Sequence, residues 1–299
     1  MNRVRSVFPV IFSFFFLFSQ AHAQHSDAKT ASWPEVETAI GRAGQAQADG
    51  AYKFGFPRGD MKVTVEGVQV KPALALGSWV AFSSPGNDAM MMGDLVLSED
   101  EVTPVMTSLE ESGIEVTALH NHVLRESPRV MYMHVGAHGD AVKLAAGMRR
   151  TLELTKTPAP SAPPAQQANL DFDTAGIEQA LGRKGKVNGG VLQFGVPRTE
   201  SITHDGMKVP GSMGLSTGIN FQPTGSGKAA ITGDFVLVDS EVNPVIKALR
   251  ASGIQVTAVH NHMILEKPRL FFMHFWANDD AVKLAKGLRA ALDQTNSAK

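Results

Sequence analysis

The sequence contains a long internal repeat, and this repeat limits the possible folds more than any other feature. Residues 112–149 align without a gap to residues 252–289, and 23 of these 38 positions are identical. The same offset of 140 brings Phe54-Gly55 onto Phe194-Gly195. Such self-similarity predicts two copies of one structural unit. A unit of about 120 residues buries roughly two-thirds of its extended-chain surface, so each copy is large enough to form its own core.

The repeat also sets the predicted organisation of the chain. We place the first repeat domain at residues 32–154 and the second at residues 170–295. Residues 155–169 lie between them and contain four prolines and no aromatic residue. This composition favours an extended linker of up to about 45 Å. Such a linker allows the two repeats to pack together as a pseudo-dimer but does not require it.

Each repeat combines helix and strand patterns. In the first repeat, helices are predicted over residues 33–43, 98–113 and 140–148, and strands over residues 52–56, 62–70, 79–82, 90–97, 114–124 and 129–136. The strands outnumber the helices and follow each other closely, which favours antiparallel pairing. We therefore predict an α+β fold with two tandem homologous domains, each a mostly antiparallel sheet with packed helices.

The N-terminus has the pattern of a secretory signal peptide over residues 1–23. Two arginines precede an apolar run over residues 7–18, and Ala21-His22-Ala23 supplies the small residues of a cleavage site. The run is short for a membrane span, and an uncleaved anchor is the alternative interpretation. We expect cleavage after Ala23, a periplasmic or secreted protein, and no transmembrane segment after signal cleavage.

Composition excludes several classes of function. The formal net charge is −1, and no basic cluster indicates nucleic-acid binding. The absence of cysteine rules out disulfides, a lipid-carrying cysteine, thiolate metal sites and cysteine catalysis. The sequence also lacks the zinc-protease helix, the phosphate-binding loop, the nucleophile elbow and the dinucleotide fingerprint. Stability must come from packing.

Both repeats contain the same histidine pattern. An H-N-H segment at 120–122 is followed by His134, and an H-N-H segment at 260–262 is followed by His274. Alternate residues of a strand share a face, so the two histidines of each H-N-H project to one side, about 7 Å apart. The next strand decides whether the third histidine joins them. In an antiparallel hairpin, an even sum of opposed residue numbers, such as 254, gives the same face, and an odd sum gives the opposite face.

Three neutral imidazoles on one face would form an open site for zinc or another divalent metal. Because metal ligands must be deprotonated, we expect binding to weaken as the pH falls through the histidine range near 6.5. Hydrogen-bonded histidines that cap a core are the structural alternative. The predicted ligands are His120, His122 and His134 in the first repeat and His260, His262 and His274 in the second.

Four other polar positions recur in both repeats. An acid can orient a ligand histidine, and a guanidinium can hold a carboxylate or phosphate. Each position also has a structural interpretation, as a turn residue, a cap or an ion pair. The candidates for orienting the histidines or binding a small anionic ligand are Glu126, Arg129, Asp94 and Arg58 in the first repeat and Glu266, Arg269, Asp234 and Arg198 in the second.

The repeated H-N-H, E-x-P-R and M-H segments resemble the LppY/LpqO family of exported bacterial proteins. The resemblance extends over nearly the whole mature chain. It implies export and two tandem copies of the family's domain, and it implies no activity or ligand. Because this chain has no lipidation cysteine, membrane attachment is not implied.

Three functions fit these observations. An exported binding protein would hold a divalent metal or a small anionic ligand at one histidine-lined site in each repeat. A metal-dependent hydrolase would use the same histidines, although the sequence identifies no catalytic residue. An envelope structural or interaction module would need no metal. Metal content separates the first two from the third, and turnover separates the hydrolase from the binding protein.

Overall fold

The computed structural model describes residues 32–160 and 170–298. The predicted signal peptide and most of the predicted linker lie outside the described residues. The first repeat contains helices α1 (Trp33–Ile40), α2 (Pro72–Ala75), α3 (Glu99–Glu111) and α4 (Ala141–Leu152), and strands β1 (Gln45–Ala46), β2 (Tyr52–Pro57), β3 (Thr64–Val65), β4 (Val68–Gln69), β5 (Gly77–Phe82), β6 (Ala89–Ser98), β7 (Glu115–His120), β8 (Glu126–Ser127) and β9 (Val130–Gly139).

The second repeat follows nearly the same order. It contains helices α5 (Thr174–Leu181), α6 (Asp239–Ala251) and α7 (Ala281–Leu292), and strands β10 (Lys186–Asn188), β11 (Val191–Pro197), β12 (Thr203–His204), β13 (Met207–Lys208), β14 (Ser216–Gly225), β15 (Lys228–Leu237), β16 (Gln255–His260), β17 (Glu266–Lys267) and β18 (Phe271–Asp280). Among the described helices, none is long and apolar enough to cross a membrane.

Each repeat is built on a six-stranded antiparallel sheet. The strand order is β1-β2-β5-β6-β9-β7 in the first repeat and β10-β11-β14-β15-β18-β16 in the second. A small three-stranded sheet accompanies each, with the order β4-β3-β8 or β13-β12-β17. The predicted α+β fold with two tandem domains is thereby confirmed.

Two predicted strands differ from the observed ones. The strand expected over residues 62–70 is a hairpin of β3 and β4, because Glu66 and Gly67 adopt left-handed backbone angles (φ 50° and 84°) that turn the chain. The strand expected over residues 114–124 ends at His120. The second half of the H-N-H segment therefore lies in a loop that follows β7.

An apolar cluster in each repeat lies between the large sheet and the longer helices. In the first repeat, Phe54 and Phe56 of β2 belong to the same buried cluster as Val105 and Leu109, which lie one turn apart on α3. Helix α3 begins at a capping box, in which the Glu101 carboxylate accepts the backbone N–H of Ser98 at 2.9 Å. The equivalent cluster of the second repeat is built in the same way. Each repeat therefore has its own core, as its size predicted.

Two further apolar clusters contain residues of both repeats. In one, Met90 and Met92 pack with Met213 and Phe272. In the other, residues of the first repeat surround Trp276, which is 1% exposed. Both repeats therefore contribute buried side chains to the same clusters. The two repeats therefore pack as a pseudo-dimer, the arrangement that the linker allowed.

The loops that follow β7 and β16 meet in the middle of this interface. The Thr117 hydroxyl donates to the carbonyl oxygen of His262 at 2.6 Å, and the Thr257 hydroxyl donates to that of His122 at 2.5 Å. The side-chain amide of Asn261 also donates to the carbonyl of Thr117 at 2.8 Å. These reciprocal hydrogen bonds bring the H-N-H segments of the two repeats together.

Candidate metal centre

A β-bulge decides on which face His134 lies. At the start of the β7–β9 pairing, Val116 is opposite Val135, an odd sum that would set His134 on the far side from His120. The register then shifts between Val116 and Ala118, so that Ala118 is opposite His134 and the sum becomes 252. One extra residue on the bulged strand reverses the faces of all later pairs. His134 therefore lies on the same face as His120. The two residues are diagonal neighbours, whereas a sum of 254 would place them directly opposite each other.

The second repeat has the same bulge, between Val256 and Ala258. The three histidines of each repeat consequently lie close together. Ring centroids are 5.1 Å apart for His120 and His134, 5.2 Å for His120 and His122, 4.6 Å for His260 and His274, and 5.1 Å for His260 and His262. Both predicted sets of three are therefore assembled.

The two sets also interleave, so that the six histidines form one cluster. Centroid distances between the repeats are 3.6 Å for His120 and His260, 3.7 Å for His134 and His262, and 3.8 Å for His122 and His274. The sequence interpretation expected a separate site in each repeat. The structure joins the two because the bulged strands lie at the interface, where each repeat's histidines face those of the other.

The ring nitrogens that can bind a metal form two overlapping groups within the described residues. In each group, all ligand atoms lie within 4.8 Å of one another. One group contains His120, His122 and His134, and the other contains His120, His260, His262 and His274. Because His120 belongs to both, the arrangement is a single composite centre built by the two repeats.

Backbone carbonyls fix the tautomer of three of these histidines. Nδ1 lies 2.9 Å from the Asn121 carbonyl in His120, 3.1 Å from the Asn261 carbonyl in His260, and 2.7 Å from the Gly233 carbonyl in His274. A nitrogen that faces a carbonyl oxygen must carry the proton, which leaves the lone pair on Nε2. In these rings Nε2 is therefore the atom that is free to bind a metal.

The Nε2 atoms of all six histidines are buried and have no hydrogen-bond partner. Buried polar side-chain atoms in folded proteins are nearly always hydrogen-bonded. An isolated exception can be absorbed by a small rearrangement. Six exceptions of the same chemical type lie together here, and their nitrogen lone pairs could bind a metal ion.

Two aspartates complete the centre. Asp94 on β6 is opposite His134, and Asp234 on β15 is opposite His274. The Asp94 carboxylate lies 3.8 Å from Nε2 of His122, and that of Asp234 lies 3.0 Å from Nε2 of His262 without hydrogen-bond alignment. Each also has a buried Oδ1 without a partner. The acids predicted to orient histidines thus lie beside them.

The glycine before each aspartate is required by the close approach of the neighbouring strand. A Cβ atom at Gly93 would lie 2.8 Å from the Trp79 carbonyl oxygen, and one at Gly233 would lie 2.0 Å from the Gly218 carbonyl oxygen. Any other residue would push the neighbouring strand away. In the repeated Gly-Asp pair, the glycine therefore allows the close approach of the neighbouring strand, and the aspartate lies next to the histidines.

Burial keeps the histidines neutral and favours protonation of the aspartates. It lowers the pKa of His120 and His260 to about 4 and that of His274 to about 3. Burial, followed by the charge of Asp234, raises the pKa of Asp94 to about 8. Because imidazole binds metal in its neutral form, protons should compete near pH 4 and not near the 6.5 expected from the sequence.

The predicted glutamates lie in the short strands β8 and β17, between each H-N-H segment and the next long strand. The Glu126 carboxylate accepts the backbone N–H of Val130 at 3.2 Å, and that of Glu266 accepts the N–H of Leu270 at 3.1 Å. Burial raises the pKa of Glu126 to about 7. Neither belongs to the groups of metal-binding atoms found among the described residues. Their observed contacts hold the turn that leads from the H-N-H segment into the next strand.

The predicted role of Arg58 and Arg198 in binding an anionic ligand is not compatible with their contacts. All five N–H groups of Arg58 are used: Nε and Nη2 donate to Asp60, Nη1 and Nη2 donate to Glu101, and Nη1 also donates to the Val96 carbonyl. Arg198 is used in the same way by its own repeat. Because no donor remains, these arginines stabilise the fold.

The other two predicted arginines lie at the surface. Arg129 is exposed, and the half-exposed Arg269 donates to the Ile264 carbonyl and contacts Glu266 at 3.3 Å. The structure therefore brings the six histidines and the two aspartates together. It leaves the four arginines and the two glutamates in other contacts.

The sequence interpretation missed a cavity on one side of the centre. Its volume is about 20 Å³, and it is lined by His134 and His262 together with Trp79, Gly136 and His204. His204 has no histidine counterpart in the first repeat, and a search for repeated polar residues therefore passes over it. A search that also considered histidines present in only one repeat would have identified His204.

The family model DUF1529, described as Domain of Unknown Function (DUF1259), matches residues 34–154 and 175–294. It supports two copies of one domain, and the LppY/LpqO resemblance stays a prediction. No curated protein matches the sequence significantly.

Two solved structures were found to be similar in part. The trimeric bacterial microcompartment shell protein PduB has 12% identity, covers 83% of this chain and 90% of its own, and has a TM-score of 0.21. EtuB from Clostridium kluyveri has 10% identity, covers 84% and 90%, and has a TM-score of 0.22. At such TM-scores neither structure supports a conclusion about this chain.

Proposed function

This chain belongs to the DUF1259 family, and we propose that it is an exported binding protein that holds a divalent transition metal in the composite histidine centre. The observation that carries the proposal is the set of six buried Nε2 atoms without hydrogen-bond partners. Neutral imidazole is a preferred ligand of zinc, copper and nickel. The two aspartates supply oxygen ligands or hold the histidines in place.

The energetic argument points in the same direction. A buried polar atom without a partner costs about 1–3 kcal/mol. The six Nε2 atoms and the two Oδ1 atoms of Asp94 and Asp234 together represent a cost on the order of 10 kcal/mol. A bound cation would offset this cost, because it accepts the nitrogen lone pairs and favours the ionised carboxylates. A purely structural role leaves the cost unexplained.

The size of the cavity favours binding over hydrolysis. At about 20 Å³ it has room for one water molecule. Sites for small organic molecules usually measure several hundred Å³. Aromatic stacking also fixes one histidine ring of each repeat. The His122 ring stacks on Tyr132 with a centroid distance of 3.3 Å, and the His262 ring stacks on Phe272 with a centroid distance of 3.4 Å. Such a centre is suited to retaining an ion.

The test is metal analysis of protein that was purified from the periplasm without a histidine tag. We expect bound zinc, or uptake of zinc, copper or nickel after treatment with a chelator. His120→Ala should lower the affinity for all bound metal by at least about 10- to 100-fold, the loss typical of a single supporting residue. In contrast, independent sites would leave the second repeat's metal at its original affinity.

The matched control is His138→Ala. His138 is an exposed histidine outside both ligand groups, so this variant should bind metal like the wild type. Wild-type protein that binds none of these metals would refute the proposal. Equal loss in the two variants would mean that binding occurs through surface histidines.

A further inference from the structure

The two sides of the composite centre differ at one pair of repeat-related positions. Gly136 on β9 corresponds to Trp276 on β18 in the gapless alignment. The small cavity lies on the Gly136 side, against His134 and His262. A glycine at this position leaves a water-sized space that a larger side chain would remove.

On the other side, a tryptophan and two valines occupy the corresponding positions. Trp276 is 1% exposed and packs in one apolar cluster with Val65 and Val123. Val65 is the counterpart of His204, because each lies opposite the corresponding glutamate in its small sheet. Val123 is the counterpart of Met263, which lines the cavity. Gly136 and His204 on the cavity side therefore correspond to Trp276 and Val65 on the other side.

The cavity also contains a polar group that lacks a partner. His204 is 9% exposed, lines the cavity, and has a buried Nδ1 without a hydrogen bond. This nitrogen is separate from the six that converge on the centre. A buried polar atom beside a space of one water volume indicates that the space takes a polar molecule.

We propose that a single water-sized ligand, water or hydroxide, completes the coordination of the bound metal on the Gly136 side only, with His204 as its hydrogen-bond partner. This inference rests on the proposed metal function. It deepens that function, because it makes the centre closed on one side and open to exchange on the other.

The test uses Cu(II)-loaded full-length protein in ¹⁷O-enriched water. The wild type should show ¹⁷O coupling to the copper signal in electron paramagnetic resonance. Gly136→Trp should keep the copper content and lose this coupling. A side chain can start at this position without strain, because a Cβ atom would lie 3.6 Å from Thr117. The control, Trp276→Gly on the other side, should keep the coupling.

A second variant keeps the test decisive if Gly136→Trp fails to fold. His204→Val installs the residue of the closed side, so it should bind copper normally and lower the ¹⁷O coupling. Copper-loaded wild type without coupling, or coupling unchanged in both Gly136→Trp and His204→Val, would overturn the inference and leave the metal proposal intact. Absence of bound copper from the wild type would instead count against the metal proposal itself.

Discussion

Acidification should destabilise the metal-free protein strongly, because its buried histidines take up protons only after unfolding. Burial lowers the pKa of His120 and His260 to about 4, whereas an exposed histidine titrates near 6.5. Between these values the unfolded chain carries protons that the folded protein does not. Each such group lowers the free energy of unfolding by about 1.4 kcal/mol per pH unit as the pH falls. Burial also lowers the pKa of the other four histidines of the centre, well below the usual value for His122, His134 and His262 and to about 3 for His274.

Three carboxyl groups act in the opposite direction. Burial raises the pKa of Asp94 to about 8 and that of Glu126 to about 7, and it also raises the pKa of Asp234. A carboxyl group that is protonated in the folded protein and ionised in the unfolded chain adds stability as the pH falls from about 8 toward 4. If each of the three carboxyl groups is counted as one full proton, their opposition to the histidine effect on the free energy of unfolding is at its largest.

Six histidines against three carboxyls leave a net uptake of about three protons on unfolding. The free energy of unfolding should therefore fall by about 4 kcal/mol per pH unit between about pH 6.5 and 4.5. A typical total stability of about 5–15 kcal/mol would be largely consumed over this range. Above about pH 6.5 only the carboxyl effect remains, so stability should be highest near that pH.

Urea unfolding in the presence of a chelator measures this dependence. We expect the midpoint to fall from about pH 6.5 to pH 5 while the slope with denaturant stays constant. The double variant His120→Gln/His260→Gln removes two of the three net protons and should reduce the dependence to about 1.4 kcal/mol per pH unit. His138→Gln, at an exposed position, should leave it unchanged. A free energy of unfolding that is constant or rises from pH 6.5 to 5 would refute the reasoning.

Three further predictions concern the rest of the chain. Intact mass of the exported protein should correspond to cleavage after Ala23; a chain that retains Met1 would contradict this. Protease should cut first within residues 155–169, and the two fragments should still elute together, because the shared clusters bury apolar side chains of both repeats. Separate elution would show that the shared clusters contribute little to the association of the two repeats. Arg58→Met should lower the free energy of unfolding by about 3–5 kcal/mol, since it leaves Glu101 buried without its partner, yet metal content should not change. Loss of metal from a folded Arg58→Met protein would contradict this and would show that Arg58 contributes to metal binding.

The repeat and the α+β fold could be predicted because they rest on local periodicity and self-similarity. The face on which His134 lies could not, since it depends on a bulge at Thr117. The strand pattern around Thr117 reads the same with and without an extra residue. In the structure, the Thr117 hydroxyl at the bulge donates to the carbonyl of His262 in the other repeat, a contact that the local pattern does not contain.

The arginines show a second limit of the sequence. Arg58 and Glu101 are 43 positions apart, and Glu101 also accepts the backbone N–H of Ser98 at the start of α3. One carboxylate serves both purposes in the structure. A pattern analysis that gives each residue one role leaves the arginine without a partner and therefore free for a ligand. Only the three-dimensional arrangement shows that all its donors are occupied.

The reciprocal hydrogen bonds between Thr117 and His262 and between Thr257 and His122 are of the kind that two identical subunits would form. In a dimer of identical chains, every substitution appears twice, and such an assembly comes apart on dilution. Because both halves belong to one polypeptide, glycine can stand at position 136 and tryptophan at position 276. Covalent tethering also gives the halves an effective concentration on the order of millimolar. The centre should therefore stay assembled even in dilute solution.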